Sequence, residues 1–444
     1  MGERIVLPRI SDFVDDLLRL LAALELGETI SLVAVDFQDA FHNVPAGPDK
    51  RFTCASFKWP DGLSKLICFE VLVFGAKSSP TIWGRYASFF GRSTAAILED
   101  RRKAGLQVYV DDPALALVGT WERRVRLLSR ALLWAAVLGL PIAWDKAYAG
   151  NSIVWGGAKI SLGVGNEDGT VIVSIPEEKL QALQDEVRDV LSHPLVSRKR
   201  IRSLAGSLSF LAGLISYLRA FLSPLWAVCS ASGTSEGKRP LKFRAQSRQL
   251  RSWVHVTRIR KGLQWIEAFL SGEICKKGLR RVYQPVSLDN TSFLAVDASP
   301  WGMGGILVLN GELFRYFKSE ITSLNLSKCR ATVGESAWNT VWEALALLIA
   351  FRLWLPLFPI NVVVRCKSDS RAALGAILKL STASRSLQPI VREIALDMAQ
   401  GVYNVQLFQH IPGFTNVLPD ALSRLSAPGE AGKPFPSRLL DVQE

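Results

Sequence analysis

Histidine is scarce in this 444-residue chain, with four in all, and the six cysteines stand apart at positions 54, 68, 229, 275, 329 and 366. No two of them make a CxxC, so a zinc knuckle or structural zinc site is not expected. Reduced, partly buried thiols are the simplest reading of the six. A secretory signal pattern is also missing, because Glu3, Asp12, Asp15 and Asp16 interrupt the N-terminus. Long uncharged apolar runs are absent too. Residues 204–218 lie between Arg202 and Arg219, and residues 344–357 contain Arg352 and Pro356. Both read as buried helices, so no membrane partner is expected. Acids are outnumbered, 40 against 53 Lys and Arg, for a net charge of +13. That balance favours a polyanionic partner.

The charge is local. Residues 198–281 hold 18 Lys and Arg against 3 Glu, an excess of 15 in a chain whose net charge is 13. A basic middle therefore separates two acid-bearing ends. The 49% apolar content supports more than one buried core over this length.

Residues 107–115 read QVYVDDPAL. Val108, Tyr109 and Val110 favour a strand, Leu115 to Val118 resumes one, and Asp111 and Asp112 fall at or beside the turn between them. A second short apolar run, Leu32 to Val35, ends at Asp36. Two strands that deliver acids to one edge can bind divalent cations and so serve phosphoryl transfer. The bland alternative for a lone DD pair is a solvated turn.

The order of three motifs resembles retroelement reverse transcriptases. DFQDAFHNVP at 36–45 looks like motif A, VLVFGAKSSP at 71–80 like motif B, and YVDD at 109–112 like motif C. The run 138–146 is similar to motif D, and IVWGG at 153–157 to motif E. The resemblance is to long-terminal-repeat and tyrosine-recombinase (DIRS-like) retrotransposons. It implies that Asp36 and Asp111 hold catalytic Mg2+, with Mn2+ as an alternative, and that Asp112 supports them. It also implies a deoxynucleotide gate at Phe41, a nucleotide floor at Gly75, a phosphate contact at Lys77, and a proton donor to pyrophosphate at Lys146. Trp155 and Gly156 would hold the primer end. The substrates would be dNTPs, and the partners an RNA template and a DNA primer. Only 35 residues precede Asp36, a shortened fingers region that leaves polymerisation by this chain open.

Ser11 is a candidate N-cap for a helix over residues 10–26, and Pro176 opens another helix carrying Glu177 and Glu178 in its first turn. Arg198, Lys199, Arg200 and Arg202 form a basic lip suited to the phosphates of a nucleic-acid duplex and lead into LAGSLSFLAGL at 204–214, which resembles a retrotransposon thumb helix. Residues 241–281, with Trp253, Trp265 and eleven basic residues, resemble a connection segment that contacts phosphates.

Beyond Pro285, VDAS at 296–299, WEALAL at 342–347, SDS at 368–370 and HIPGFTNVLPDALSR at 410–424 resemble a ribonuclease H domain. The implied metal-binding acids are Asp297, Glu343, Asp369 and Asp420, with His410 assisting product departure and an RNA–DNA hybrid as substrate. Pro419 stands where an alanine is common in that family. The remaining tail shows no catalytic feature, and no protease or integrase motif is present, so an element-encoded integrase or recombinase would be a separate partner.

The expected architecture is an α+β polymerase palm with a helical thumb, followed by an α/β RNase H-like domain with a mixed sheet. Its divisions are 1–175 for fingers and palm, 176–230 for the thumb, 231–288 for the connection, 289–426 for the RNase H-like domain and 427–444 for the tail. Two functional alternatives remain: a nucleic-acid-binding relic without activity, and an active RNase H beside an inactive polymerase. Cytoplasm or nucleus is the expected location.

Overall fold

The computed structural model describes residues 5–444 apart from 99, 101, 164–168, 231–251, 276–278, 286, 330, 360–361 and 405. Much of the expected basic connection lies outside the described residues. The chain forms two compact units, Met1–Pro176 with Arg281–Pro285, and Glu177–Arg280 with Val286–Glu444.

The first unit begins with helix α1 (Ile10–Ala22) and strand β1 (Thr29–Ala34). Ser11 does not cap α1. It lies inside the first turn, and the Asp12 carboxylate instead accepts the Arg9 N–H at 2.7 Å. Hairpin β2 (Cys54–Lys58) and β3 (Ser64–Cys68) follows, then helix α2 (Ser79–Ile97). Next come β4 (Ala104–Tyr109), β5 (Asp112–Gly119), helix α3 (Trp121–Val137) and β6 (Tyr148–Gly150). The main sheet has the order β4-β5-β1-β6, and β1 pairs antiparallel with both β5 and β6.

Alternation decides which face each β1 residue covers. Val33 and Val35 join Leu115 and Leu117 against Trp83, Ala87 and Phe90 of α2 and Leu127, Ala131 and Ala135 of α3. Ile30 and Leu32, from the other parity, are buried as well. The unbroken apolar runs of β1 and β5 thus belong to strands covered on both sides. Helix α1 lies close to β4 because Gly105 has no side chain. A Cβ there would stand 3.3 Å from Asp16 and Leu20.

A smaller sheet closes this unit. Strands β7 (Ser152–Trp155), β8 (Ala158–Leu162) and β9 (Val171–Ser174) form an antiparallel meander. Gly156 and Gly157 make its first turn at φ of 53° and 80°, which side chains disfavour.

The second unit opens with α4 (Glu177–Ser192), β10 (Leu195–Ser197), α5 (Arg198–Leu214) and α6 (Arg219–Ser230). Strand β11 (Trp253–His255) pairs with β10, and α7 (Arg260–Leu270) completes a helical cluster. Pro224 sits inside α6 and has no N–H for the Ala220 carbonyl one turn earlier. Arg392 supplies the donor, its Nε standing 3.4 Å from that oxygen. Strand β12 (Arg280–Tyr283) returns to the small sheet of the first unit beside β9.

A five-stranded mixed sheet follows. Its strands are β13 (Ser287–Ala298), β14 (Gly302–Leu309), β15 (Glu312–Glu320), β16 (Val362–Ser368) and β17 (Leu407–His410), in the order β15-β14-β13-β16-β17. The first three are antiparallel neighbours, and β16 runs parallel to both β13 and β17. Helices α8 (Ser323–Cys329), α9 (Asn339–Trp354), α10 (Arg371–Lys379), α11 (Gln388–Gln400) and α12 (Val417–Ser423) accompany it. The segment Ser336–Leu357 is long and apolar enough to cross a membrane, but α9 within it is a core helix with Trp342, Leu347 and Phe351 buried.

Glycines let α12 lie directly on β14. A Cβ on Gly304 would stand 2.4 Å from Leu422 Cβ and 2.7 Å from the Pro419 oxygen. The C-terminal tail, featureless in sequence, covers the same face. Leu439 is buried with Ile306 and Tyr316, Phe435 packs on Tyr316 with centroids 5.5 Å apart, and the Tyr316 N–H donates to the Gln443 carbonyl at 3.1 Å.

Candidate active site

Strands β4 and β5 pair Tyr109 with Asp112, so Val110 and Asp111 form a two-residue turn. Val110 has φ of 59°, a costly conformation for a β-branched residue. Trp83 of α2 steadies it, its Nε1 donating to the Val110 carbonyl at 2.8 Å. Across the turn, the Phe37 N–H donates to the Asp111 carbonyl at 2.9 Å, and the Val35 N–H to that of Pro113 at 3.1 Å. These two bonds hold Asp36 beside the aspartate pair. Lys146 reaches the same place and forms an ion pair with Asp36. The Ala143 N–H donates to the Asp36 carbonyl at 2.9 Å, fixing the loop that presents the lysine.

Burial pushes the Asp112 carboxyl up to about 7. The charge of Asp36 adds to this, and an N–H from Gly156 opposes it. Asp111 is raised for the same first reason, with Asp36 again contributing. Lys146 is raised by its hydrogen bond and attraction to Asp36. Three carboxylates that feel one another's charge thus face one ammonium, and two of them hold protons more tightly than usual, although their oxygens do not all lie within 4.8 Å of one another. Their hard oxygens fit a divalent cation, whose charge would relieve that repulsion.

Trp155 and Gly156 reach the site from the small sheet. Trp155 Nε1 donates to the Asp112 carbonyl at 2.8 Å, and its ring lies 5.4 Å from Phe13 and 6.3 Å from Tyr109. Phe41 is half-buried, edge-on to Phe74 at 5.0 Å and to Trp83 at 6.3 Å. Gly75 follows Phe74 at φ of 89°, while Lys77 is exposed in the next turn. Asp39 faces solvent, and its side chain caps nothing.

Residues 7–160 match the family model for reverse transcriptase (RNA-dependent DNA polymerase). This part of the chain is similar to reverse transcriptase domains. The match spans the Asp36 strand, the Asp111–Asp112 hairpin and Lys146. No curated protein matches the chain.

Outside residues 7–160, a second acid group forms where β13 and β16 end and α9 begins. Ligand oxygens of Asp297, Glu343 and Asp369 all lie within 4.8 Å of one another, the one such group of three among the described residues. Asp297 accepts from Ser423 Oγ at 2.9 Å and Asn416 Nδ2 at 3.3 Å. Glu343 accepts from the Ala298 N–H and from Ser368 Oγ, each at 3.1 Å. Burial pushes Asp297 up to about 7 and Glu343 to about 9, with the neighbouring carboxylates adding to both. Asn416 Oδ1 is buried nearby without a donor. An oxygen-only group with raised pKa values and an unpaired amide oxygen suits a hard divalent cation.

Asp420 does not belong to that triad. Burial acts to raise it, but hydrogen bonds from Lys433 and Arg424 overcome burial and hold it below its ordinary value. The Arg424 bond is 2.7 Å, and Lys433 comes from the tail as an ion pair. His410 is exposed at the end of β17, in register with Ser368. Gly413 abuts Asp369, since a Cβ there would stand 3.0 Å from Oδ2. Asn416, Ser423, Ser368 and Lys433 escaped sequence reasoning. Asn416, Asp420 and Ser423 have the i, i+4, i+7 spacing of one helix face, which was the available signal for the first and second of these. Nothing local marked Lys433.

The basic run opening α5 is partly committed to the protein. Arg200 pairs with Asp189 at 2.5 Å, and Arg202 donates to the Cys229 carbonyl at 3.4 Å. The Arg198 N–H donates to the Ser252 carbonyl at 2.6 Å, and Lys199 is exposed.

Proposed function

We propose that the chain is an RNA-directed DNA polymerase that extends a DNA primer on an RNA template with dNTPs. The observation carrying this reading is the tight turn that sets Asp111 beside Asp36 within a matched reverse transcriptase domain. Asp36 and Asp111 would hold Mg2+, which supplies positive charge for attack by the primer 3′-oxygen and departure of pyrophosphate. Asp112, tied to Trp155 and Gly156, sets the shape and charge of that pair. Lys146 is an ammonium held beside Asp36 and can give a proton to the leaving pyrophosphate. Phe41, backed by Phe74 and Trp83, is the candidate sugar gate. Incorporation of a single deoxynucleotide opposite an RNA template is the test. The parent is expected to incorporate it, and Asp36→Asn to lose incorporation by at least about a hundredfold, the usual cost of removing one charge-stabilising group or more.

A second activity is favoured by the carboxylates of Asp297, Glu343 and Asp369 on a mixed five-stranded sheet. This part of the chain resembles a ribonuclease H domain, and we assign it cleavage of RNA in an RNA–DNA hybrid. Divalent ions held by these acids would activate water and stabilise the departing RNA 3′-oxygen. Asp420 can join them once Lys433 and Arg424 release it. Hybrid cleavage lost in Asp369→Asn with hybrid binding retained is the expected result. Equal cleavage by both proteins rejects the assignment.

A further inference from the structure

In the second unit, α5 and α6 on one side and the loop between α10 and α11 on the other enclose a cleft of about 1220 Å3. Arg219, Arg258, Lys328 and Arg385 all line it, and no carboxylate among the described residues does. Hydroxyls are numerous: Ser209, Ser223, Ser230, Ser381, Thr382 and Ser386. None of the three catalytic-type acids lies in its wall, and neither do the basic residues that open α5. The cleft is therefore a separate feature with one sign of charge.

Its walls are fixed by bonds that leave the basic heads for a ligand. Gln388 Nε2 donates to Ser223 Oγ at 2.9 Å, linking α11 to α6. Arg392 donates to the carbonyl freed by Pro224, linking the same helices again. Arg219 Nε donates to the Ala212 carbonyl at 2.9 Å, which holds its guanidinium at the cleft without neutralising it. Arg258, Lys328 and Arg385 are exposed. Trp226, also exposed, is held by a 3.0 Å bond from Nε1 to Ser209 Oγ.

We propose that this cleft binds single-stranded nucleic acid, with the four basic residues on successive phosphates and Trp226 beneath one base. The chemistry favours this occupant over a small anion. The volume exceeds the roughly 300–1,000 Å3 of ordinary small-molecule pockets, and four separate cations suit a chain of charges. Basic residues combined with an exposed aromatic face are the physical recipe for sequence-tolerant single-strand binding. The inference goes beyond the two catalytic readings and requires neither site to be active.

The test uses the full chain with a fluorescent single-stranded oligothymidine, titrated across a range of salt concentrations. Paired substitution of Arg258→Gln and Arg385→Gln is expected to weaken binding and to reduce the salt slope by about 1.4, since each single-strand phosphate contact contributes about 0.7. Trp226→Ala is expected to weaken binding about tenfold or more with little change in slope. Hydrogen exchange in the parent should slow in residues 381–387 when the oligomer binds. Unchanged affinity in both variants overturns the proposal, as does absence of protection at 381–387. Full competition by inorganic phosphate at concentrations matched in charge overturns it in favour of a small-anion site. Blunt duplex DNA bound as tightly, through the same residues, overturns the single-strand assignment. Single-nucleotide incorporation is measured on the same proteins. Incorporation without any loss of slope removes the cleft proposal and leaves the polymerase reading; loss of slope in variants of a protein that never incorporates does the reverse.

Discussion

Replacing Glu343 by Gln tests whether the second acid group is built for a cation. Glu343 is 5% exposed, and its carboxyl is pushed to about 9 from an ordinary 4.5. In the metal-free protein the folded state therefore keeps a proton that the unfolded chain releases. Stability from this group is fully present below about pH 4.5 and is lost progressively as the pH rises toward 9. At about pH 8 the difference is about 3.5 units, or roughly 5 kcal/mol as an upper bound at about 1.4 kcal/mol per unit. Water entry and relaxation around a buried charge lower this to about 2–3 kcal/mol. Gln removes the titration and keeps both hydrogen bonds. Its oxygen can accept from Ala298, and its amide can donate to Ser368. Because the chain has two compact units, the readout must be local: hydrogen exchange of α9 amides in the presence of EDTA. Glu343→Gln should increase α9 protection at pH 8, and the gain should shrink toward pH 5. Added Mg2+ should protect α9 in the parent and not in the variant. Lower protection of the variant at pH 8 without metal refutes the reasoning, because Glu343 would then be a net stabilising charge.

Other expectations follow from single contacts. Lys433→Gln frees Asp420 from one of its two cations, so Mn2+ affinity at the acid group, measured by calorimetry, should rise several-fold; an unchanged affinity means the tail lysine does not compete with metal. Trp83→Phe loses the bond to Val110 and leaves a void at a fully buried site, so denaturant unfolding of the first unit should show a cost above the roughly 1 kcal/mol of the bond alone, with slower incorporation. Gly304→Ala drives a methyl into Leu422 and Pro419, and hydrogen exchange should show α12 losing protection while α4 is unaffected. Cys54 and Cys68 stand opposite each other on β2 and β3, with sulfurs 2.6 Å apart. The Phe69 N–H to Thr53 carbonyl bond marks the adjacent pair as hydrogen-bonded, so the cysteines occupy the closer, non-bonded site. Oxidised glutathione should link them with release of two reduced glutathiones, seen as a loss of two hydrogens in the intact mass and abolished by Cys54→Ser.

The Asp36 strand and the YVDD hairpin were legible because their signals are local: apolar runs that end in acids, joined in a known order. The sheet around Asp297 was legible for the same reason. Interactions between distant segments were not. Lys433 reaches Asp420 only because the tail folds back over β14 and β15, which no periodicity in a Pro- and Gly-rich tail announces. The four basic residues at 198–202 read as one phosphate-binding run, yet Asp189 and Cys229 engage Arg200 and Arg202. The cysteines read as scattered and partly buried, but Cys54 and Cys68 are exposed and adjacent once β2 and β3 pair. Spacing along a chain does not reveal hairpin register, which here depends on the turn at Gly62.

Primer extension on an RNA template tests the polymerase reading most directly. The parent chain and Asp111→Asn are compared with a labelled DNA primer, all four dNTPs and Mg2+. The account predicts processive or stepwise extension by the parent and none above background by the variant, with primer–template binding retained by both. Equal extension by the two proteins, or no extension by a folded parent that binds primer–template, contradicts it.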